Sequence, residues 1–446
     1  MNKNIFFIFY IFYLLIIEIL NFETINLNFN TEKKDTNNLN IYDYLNIIKN
    51  NDIYSSLKIG TPTQIINIYF KFSRFTSYLS NNYYNENFSS SYIPINNESR
   101  NFSNEEFESG KRSKDIYIFN SLKKEINFPE YLFIYTDKYY KPEFSKPGVF
   151  GLKLSDNSIN ELKETNIITQ LKNKDIISNY IFSIKYSNDN EGNIFIGSYP
   201  HEFDKKNYFE NSYITTKSNN DKNKVKWGLN FNKIYYNNEQ YSIINDKNAE
   251  FEIEYGFIEG VLELQNILNE QFFNKNINNN LCTKDVFEDK ENLNNYEYYM
   301  CNKKVISSFQ NINFYQKELD YNFILTYKDL FLKYKNDNYI FLIIFDKFQS
   351  LNWKFGKPFF KKYFLTFDQD KKLIGLYKNK ITKNKNLYIS QILFIVIIFI
   401  LFYIIYKLLK YIKELKKKKK AYLLSDDYEY NDVNNYKDIN NNKFGI

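Results

Sequence analysis

Residues 353–376 read WKFGKPFFKKYFLTFDQDKKLIGL and are the most specific stretch of the chain. An aromatic element ends at Gly356, a short helical turn follows, and the run after Tyr363 is typical of a β-hairpin. The polar residues 368–372 supply the tight turn between the two strands of that hairpin. The stretch therefore predicts a strand, a helical turn and a hairpin in immediate succession.

The chain upstream of this stretch is rich in strand-forming residues. From Ile53 onward, short runs of β-branched and aromatic residues are separated by Asn, Asp, Ser, Gly and Pro, as in strands joined by turns. The runs that predict strands include residues 65–70, 131–135, 180–186, 193–196, 231–236, 339–345 and 363–367. Apolar residues at helical spacing predict helices at 158–172 and 259–273. The sequence therefore predicts an all-β body with few helices.

The two ends of the chain are apolar and predict membrane targeting. Residues 1–22 carry Lys3 before an apolar run and predict a secretory signal peptide, with an uncleaved signal anchor as the alternative. An apolar run predicts a transmembrane helix at 387–409, and the lysines after it predict a cytoplasmic end. We expect a single-pass type I membrane protein of the secretory pathway, with a basic then acidic cytoplasmic tail at 410–446.

The tail carries two patterns of the tyrosine-x-x-hydrophobic form that sorting adaptors read, beginning at Tyr430 and Tyr436. The chain contains 42 Tyr, so the pattern also arises by chance. Adaptor binding and chance both stay open as interpretations.

Composition narrows the possible partners. The net charge is +7, and more than half of the excess lies beyond residue 388, where ten Lys accompany six acidic residues. The remainder is close to balanced, which argues against nucleic acid as a partner. The chain has one His, His201, and two Cys, Cys282 and Cys301, so we expect no metal and no other cofactor. In an oxidising compartment the two Cys predict one disulfide.

Residues 353–376 resemble, without a gap, a segment of pepsin-like aspartic proteases of the form W-I-L-G-D-x-F-x-x-x-Y-x-x-x-F-D-x-x-x-x-x-I/V-G-L/F. The composition, rich in Asn and Lys, resembles that of apicomplexan proteins, and within the family the chain is taken to resemble the apicomplexan plasmepsins. Further segments that resemble the family follow in its order, at residues 59–64, 88–92, 146–152, 176–197 and 227–238. Together with residues 353–376, these matches cover about residues 50–380.

This resemblance implies a bilobal fold with a central peptide-binding cleft. The N-terminal lobe would span 51–200 and the C-terminal lobe 201–380. Cys282 and Cys301 lie where the family has the disulfide of its C-terminal lobe. Residues 23–50 are Asn-rich and weakly periodic, so we expect a poorly ordered lead-in there.

The resemblance also shows which residues occupy the catalytic positions. The family's first D-T-G-S motif falls on residues 71–74, so Lys71 replaces its aspartate. The second motif falls on residues 254–257, where Glu254 replaces the aspartate, with Glu252 as a near competitor for that register. Aspartic proteases need two carboxylates that share one proton. With Lys71 at one position, general acid-base hydrolysis by the family route is not open.

The residues next to the catalytic positions have changed as well. Phe72 and Tyr255 replace threonines that bond across the lobes in the family, and neither side chain can make that exchange. Ser73 replaces the first glycine, whereas the second is kept as Gly256. The resemblance therefore implies that the residues needed for catalysis have changed throughout the site.

Two further positions depart from the family. The flap, which covers the substrate, maps to residues 107–110, where Phe107 and Gly110 keep an aromatic ring and a glycine but no hydroxyl. Lys354 replaces an apolar core residue beside the second catalytic loop.

Two interpretations of the charges at the catalytic positions stay open. Lys71 and Glu254 could form an ion pair, in which each would hold the other in its charged form. Alternatively, the Lys71 side chain extends into the cleft and Glu254 meets solvent.

For the whole chain, the favoured hypothesis is a membrane-anchored pseudo-protease that binds a peptide or a secretory protein without cleaving it. One alternative is an active aspartic endopeptidase with a non-standard dyad that includes Glu254. The other is a purely structural protein whose cleft is closed by the bulky Phe72, Arg74 and Tyr255.

Overall fold

The structure is a computed structural model that describes residues 23–32, 39–95, 100–101, 107–139, 146–154, 164–218, 220–221, 224–237, 241–243, 247–290, 293–348, 352–378, 403–404 and 406–416. The chain divides into two units, Met1–Lys380 and Ile381–Ile446. In the second unit, the described residues are helical.

The predicted membrane segments fall largely outside this description. Among the described residues, no helix is both long enough and apolar enough to span a bilayer. Most of the predicted transmembrane helix at 387–409, the whole signal peptide at 1–22, and Tyr430 and Tyr436 lie outside the described residues.

The first unit consists mainly of β-strands. In the first half they are β1 (Ile25–Thr31), β2 (Ile53–Ile59), β3 (Gln64–Lys71), β4 (Tyr78–Ser80), β5 (Ile93–Pro94), β6 (Arg100–Asn101), β7 (Phe107–Asn120), β8 (Glu125–Tyr139), β9 (Gly148–Gly151), β10 (Ile181–Tyr186) and β11 (Glu191–Ile196). In the second half they are β12 (Tyr213–Lys217), β13 (Asn220–Asp221), β14 (Lys224–Val225), β15 (Gly228–Phe231), β16 (Lys233–Tyr236), β17 (Tyr241–Ile243), β18 (Lys247–Phe251), β19 (Ile258–Gly260), β20 (Cys282–Glu288), β21 (Asn295–Asn302), β22 (Ile312–Gln316), β23 (Tyr321–Leu325), β24 (Phe331–Lys333), β25 (Asn338–Phe341), β26 (Ile343–Asp346), β27 (Trp353–Phe355), β28 (Leu365–Asp368) and β29 (Leu373–Tyr377).

The helices are short and lie between strands. They are α1 (Ile41–Lys49), α2 (Ile167–Asn173), α3 (Pro200–Phe203), α4 (Leu262–Leu268), α5 (Asn274–Asn278), α6 (Lys303–Ile306), α7 (Tyr327–Leu330) and α8 (Lys357–Lys362). A π-helical turn, Asn269–Phe273, joins α4 to α5, and 3-10 turns occupy Glu86–Phe88 and Glu210–Ser212.

Three sheets carry most of the strands. A 14-stranded sheet runs β12-β29-β28-β10-β11-β1-β2-β3-β9-β4-β8-β7-β5, with β6 on β7. A nine-stranded sheet runs β15-β18-β27-β19-β26-β21-β25-β24, with β20 on β21, and a four-stranded sheet runs β17-β16-β22-β23. The last hairpin, β28–β29, therefore joins the sheet of the first half rather than that of the second.

Each half places a parallel strand pair at its centre. In the first, β3 runs parallel to β9, so that Lys71 lies opposite Gly151. In the second, β18 runs parallel to β27, and Phe251 lies opposite Phe355 just before Gly356. The loops that follow β3 and β18 are the two loops at the predicted catalytic positions.

The predicted strands and most of the predicted helical residues are confirmed. All seven predicted runs coincide with strands, among them β3 and β10, and the hairpin after Tyr363 turns at residues 369–372. The helix predicted at 259–273 begins at Leu262, and the one predicted at 158–172 is described as Ile167–Asn173. Cys282 and Cys301 lie opposite each other on β20 and β21 and form the predicted disulfide, with an S–S distance of 2.03 Å.

The prediction of a poorly ordered lead-in at residues 23–50 is wrong for the part that the structure describes. β1 lies between β2 and β11 in the large sheet, with alternate side chains buried. α1 starts at an Asn40 cap, whose side chain accepts a hydrogen bond from the backbone of Asp43. It packs Leu45 against an apolar cluster of the second half. Long-range pairing thus orders a segment whose composition predicted disorder.

Candidate functional site

Lys71 ends β3 at the first predicted catalytic position and lies beside a buried carboxylate. Its Nζ is 3.2 Å from Oδ1 of Asp52, whose Oδ2 bonds to Lys146. Burial alone would raise the pKa of Asp52, but the charges of Lys71 and Lys146 outweigh burial and hold the pKa below its ordinary value. The first loop therefore has a buried, ionised aspartate with two lysines around it.

Asp52 was not among the predicted site residues, although the hairpin register contains the signal. β2 pairs with β3 from Tyr54 opposite Tyr69 to Ile59 opposite Gln64. Continuing that antiparallel register by two residues places Asp52 opposite Lys71. Recognising the turn at residues 60–63 would therefore have been enough to identify the counter-charge.

Glu254, at the second predicted catalytic position, reaches across to the first loop. Its Oε2 accepts a hydrogen bond from the backbone N–H of Phe72, and its Oε1 accepts one from the N–H of Ser73, each at 2.9 Å. Hydrogen bonds to an ionised acceptor are stronger than neutral ones. The two loops are thus joined by one carboxylate with two backbone donors.

This link corrects part of the sequence-based expectation. Phe72 and Tyr255 do not carry the hydroxyls that cross between lobes in the family, yet a cross-lobe contact exists because Glu254 supplies the acceptor. Glu252, the competing residue for the register, lies instead near Lys226 and Lys354. The direct ion pair between Lys71 and Glu254 stays a hypothesis.

The bulky residues of the two loops pack into the interior. Phe72 is 4% exposed, and its ring lies edge-on to the rings of Phe182, Phe360 and Phe367, with centroids 5.1–5.8 Å apart. Tyr255 is 5% exposed and belongs to the cluster that also holds Leu45. These two rings therefore stabilise the loops from the core side.

Residues 48–51 are bonded directly to the second loop. The N–H of Gly256 donates to the carbonyl of Lys49 at 2.8 Å, and the N–H of Asn51 donates to the carbonyl of Glu254 at 3.0 Å. A Cβ on Gly256 would lie 1.7 Å from the carbonyl oxygen of Ile48, so this approach requires glycine. Close packing against Ile48 therefore explains why residue 256 is glycine in this fold.

A buried ion pair fixes the same segment to the second half of the fold. Lys49 Nζ lies 2.8 Å from Oδ2 of Asp289, and both side chains are less than 5% exposed. The ammonium also lies over the ring of Tyr255, 5.2 Å from its centroid. The end of α1 is therefore a fixed part of the site.

Lys354, predicted to replace a core residue, has compensating acids. Its Nζ lies 3.3 Å from Glu259, directly across the β19–β27 pair, and 3.9 Å from Glu252. Burial would lower the pKa of Lys354, but these two carboxylates outweigh burial and raise the pKa. Burial raises the pKa of Glu252, which Lys354 only partly offsets. An ion pair thus stands where the family resemblance leads us to expect apolar packing.

The remaining predicted site residues lie on the flap strand. Phe107 and Gly110 are on β7, and Gly110 pairs with Thr136 of β8. Among the residues that the structure describes, no group of three or more His, Cys, Asp or Glu could hold a metal ion.

The geometry limits the chemistry of the catalytic positions. Acid-base hydrolysis needs a carboxylate with an oxygen available to take a proton from water. Both oxygens of Glu254 already accept backbone hydrogen bonds, and Asp52 is held by Lys71 and Lys146. The two carboxylates therefore join the loops and pair with two lysines.

Comparison with known proteins identifies the same architecture. The family model described as eukaryotic aspartyl protease matches residues 54–379. Among solved structures, the fold matches basic 7S globulin from soybean with a TM-score of 0.58 and 11% identity, over 81% of this chain and 96% of that one. It also matches conglutin gamma, a basic 7S globulin from lupine seeds, with a TM-score of 0.59 and 11% identity, over 80% and 96%. No curated protein sequence matches the chain.

Proposed function

Because this chain belongs to the eukaryotic aspartyl protease family, we propose that it is a member that no longer cleaves peptides and instead binds a peptide or a secretory protein. The observation that carries the proposal is the bonding of Glu254. Its carboxylate joins the two loops through the N–H groups of Phe72 and Ser73, which gives it a structural role. Lys71 at the other position is paired with Asp52.

The proposal includes anchoring in a membrane of the secretory pathway. The apolar segments at 1–22 and 387–409 and the lysines after the second support this part. Deletion of residues 387–446 should release the chain from membranes into the soluble fraction, whereas the full chain should resist alkaline extraction. Release of the full chain by alkaline extraction would contradict the anchor.

Catalytic inactivity is tested by incubating the full chain with a mixed peptide library from pH 3 to pH 7.5 and identifying products by mass spectrometry. We expect no cleavage above that of a heat-inactivated sample. Glu254→Gln and the exposed Glu210→Gln are the matched variants. Cleavage that Glu254→Gln abolishes and Glu210→Gln leaves intact would establish the alternative, an endopeptidase with a non-standard dyad.

Peptide binding is tested at the cleft itself. Ser73 is exposed beside the link between the loops, and Ser307 is exposed elsewhere in the second half. A photo-crosslinking residue at position 73 should capture peptides of the same library, and one at position 307 should capture none. Equal capture at both positions would favour a purely structural role.

A further inference from the structure

A cavity of about 500 Å³ lies between the end of β1, α1, the second loop and α8. Its volume lies within the range of small-molecule sites in proteins. The apolar part of its wall is made by Ile47, Ile48, Leu332, Leu342 and Pro358. The cavity can therefore bury an aliphatic group about the size of a leucine side chain or larger.

The acidic residues of the cavity wall already have lysine partners. Asp52 bonds to Lys71 and Lys146, and Asp329 lies 2.9 Å from Lys362. The other two pairs are Asp189 with Lys361, and Glu32 with Lys146 at 3.7 Å. These acids therefore leave no excess negative charge that would attract a cation.

Lys357, at the start of α8, is different from these lysines. It lines the cavity, and its ammonium feels the carboxylate of Asp189, which is itself paired with Lys361. Burial, together with the neighbouring charge of Lys361, lowers the pKa of Lys357 to about 8. Lys357 and Lys361 thus share one carboxylate, Asp189, and this uncompensated positive charge makes the cavity favourable for one negative charge.

We propose that this cavity binds a small monocarboxylate with an aliphatic body, and that Lys357 supplies its counter-charge. The carboxylate gains a charge-assisted hydrogen bond from the ammonium, and the aliphatic body is buried against the apolar wall. A free carboxylic acid and the C-terminal residue of a peptide share this chemistry. The site uses neither carboxylate oxygen of Glu254, so it does not depend on the catalytic state of the chain.

Isothermal titration of the full chain at pH 7 tests the proposal with three water-soluble probes. N-acetyl-L-leucine represents a peptide C-terminus, 4-methylpentanoate represents a free acid, and N-acetyl-L-leucinamide is the uncharged control. We expect either acid to bind at least about tenfold more tightly than the amide. The tighter of the two acids identifies the source, and equal affinity of the amide and both acids overturns the proposal.

Three variants assign the binding to Lys357. Lys357→Met should weaken binding of the tighter acid at least about tenfold, and Lys357→Arg should retain it, because the charge remains. Lys205→Met, at an exposed lysine away from the cavity, should leave affinity unchanged. Unchanged affinity in Lys357→Met overturns the assignment.

The wild-type chain offers a measurement that does not rely on the folding of any variant. A bound carboxylate favours the charged ammonium, so binding should raise the pKa of Lys357 and weaken as the pH rises above 8. The ¹³Cε signal of Lys357, assigned with Lys357→Arg, should report this upward shift on addition of the acid. A pKa that does not move at saturating acid overturns the proposal.

Discussion

The loop after β3 and the loop after β18, at the two predicted catalytic positions, hold opposite charges that are stabilised in different ways. At the first, the cation Lys71 lies beside the buried Asp52. At the second, an acid was kept as Glu254, and it bonds to the backbone of the first loop. In this structure the ammonium of Lys71 is paired with a side-chain carboxylate, whereas the carboxylate of Glu254 is bonded by two backbone N–H donors.

The largest loss of stability is expected from a substitution beside the first loop. Asp52→Asn removes the carboxylate between Lys71 and Lys146 and leaves two poorly solvated cations without it. We expect a loss of about 4 kcal/mol in the free energy of unfolding, measured by urea denaturation at pH 7. Glu125→Gln, which removes an exposed partner of Lys58, is the control and should change stability by less than about 1 kcal/mol. Equal effects of the two substitutions would contradict the role of Asp52.

The contacts of Asp52 also predict that the stability of the fold depends on pH. The pKa of Asp52 is lower in the folded chain than its ordinary value, so the unfolded chain binds more protons between the two values. The stabilisation by Asp52 is therefore complete above about pH 4 and lost as the pH falls through the folded pKa. Urea midpoints from pH 2 to pH 6 should show a smaller dependence for Asp52→Asn than for the wild type. Parallel curves would exclude this role.

Local patterns predicted the strands well, because alternation and turn residues act over a few positions. β3, predicted at 65–70 and observed as Gln64–Lys71, is an example. β1 was missed because its order comes from pairing with β11, with Ile25 opposite Ile196, and its Asn-rich sequence gives no local sign of that contact. Long-range pairing can override composition.

The contacts made by the predicted site residues could not be predicted from the sequence. Lys71 and Glu254 were assigned by their place in the family motifs. The bond from Phe72 to Glu254 joins residues 182 positions apart and uses a backbone donor, which leaves no trace in residue identity. Asp52 could have been found, since the β2–β3 register already places it opposite Lys71.

The link between the loops gives the next largest effect. Glu254→Ala leaves the N–H groups of Phe72 and Ser73 without their charged acceptor, and we expect a loss of about 3 kcal/mol. Hydrogen exchange should accelerate at these two amides in particular. Glu254→Gln keeps one acceptor oxygen and should fall between Ala and the wild type. Exchange at both amides that matches that of the exposed-site control, Glu210→Ala, would contradict the link.

Substitution of Lys357 is expected to change the free energy of unfolding by a smaller amount and in the opposite direction. Its pKa of about 8 lies below the ordinary lysine value, so the charged form destabilises the fold. Lys357→Met should therefore raise the free energy of unfolding by about 2 kcal/mol at pH 7. Between pH 8 and the ordinary lysine pKa, the folded wild type binds fewer protons than its unfolded chain. The stability of the wild type therefore rises over this pH range, and the extra stability of Lys357→Met disappears. A gain that is the same at pH 7 and pH 10.5, or that Lys205→Met shares, would contradict this cause.

The smallest net effect is expected where the second loop replaced apolar packing by an ion pair. Lys354 and Glu259 lie opposite each other on β27 and β19, with Nζ and Oε2 3.3 Å apart. Replacing both at once, as Lys354→Met with Glu259→Leu, should leave stability within about 1 kcal/mol of the wild type, because buried ion pairs often contribute little relative to apolar residues. Either single substitution should be more damaging than the double one, since Lys354→Met leaves the buried Glu259 without its lysine and Glu259→Leu leaves Lys354 only the more distant Glu252.

A double-mutant cycle by urea denaturation measures this difference, with the exposed pair Lys58 and Glu125 as its control. The control pair should show a coupling below about 1 kcal/mol. A double variant that is as unstable as the sum of its singles would show that Lys354 and Glu259 act separately. In that case Lys354 and Glu259 would each stabilise the second loop through separate contacts. The two loops would then be more alike than their sequences indicate, since Lys71 and Asp52 also have further contacts at the first loop.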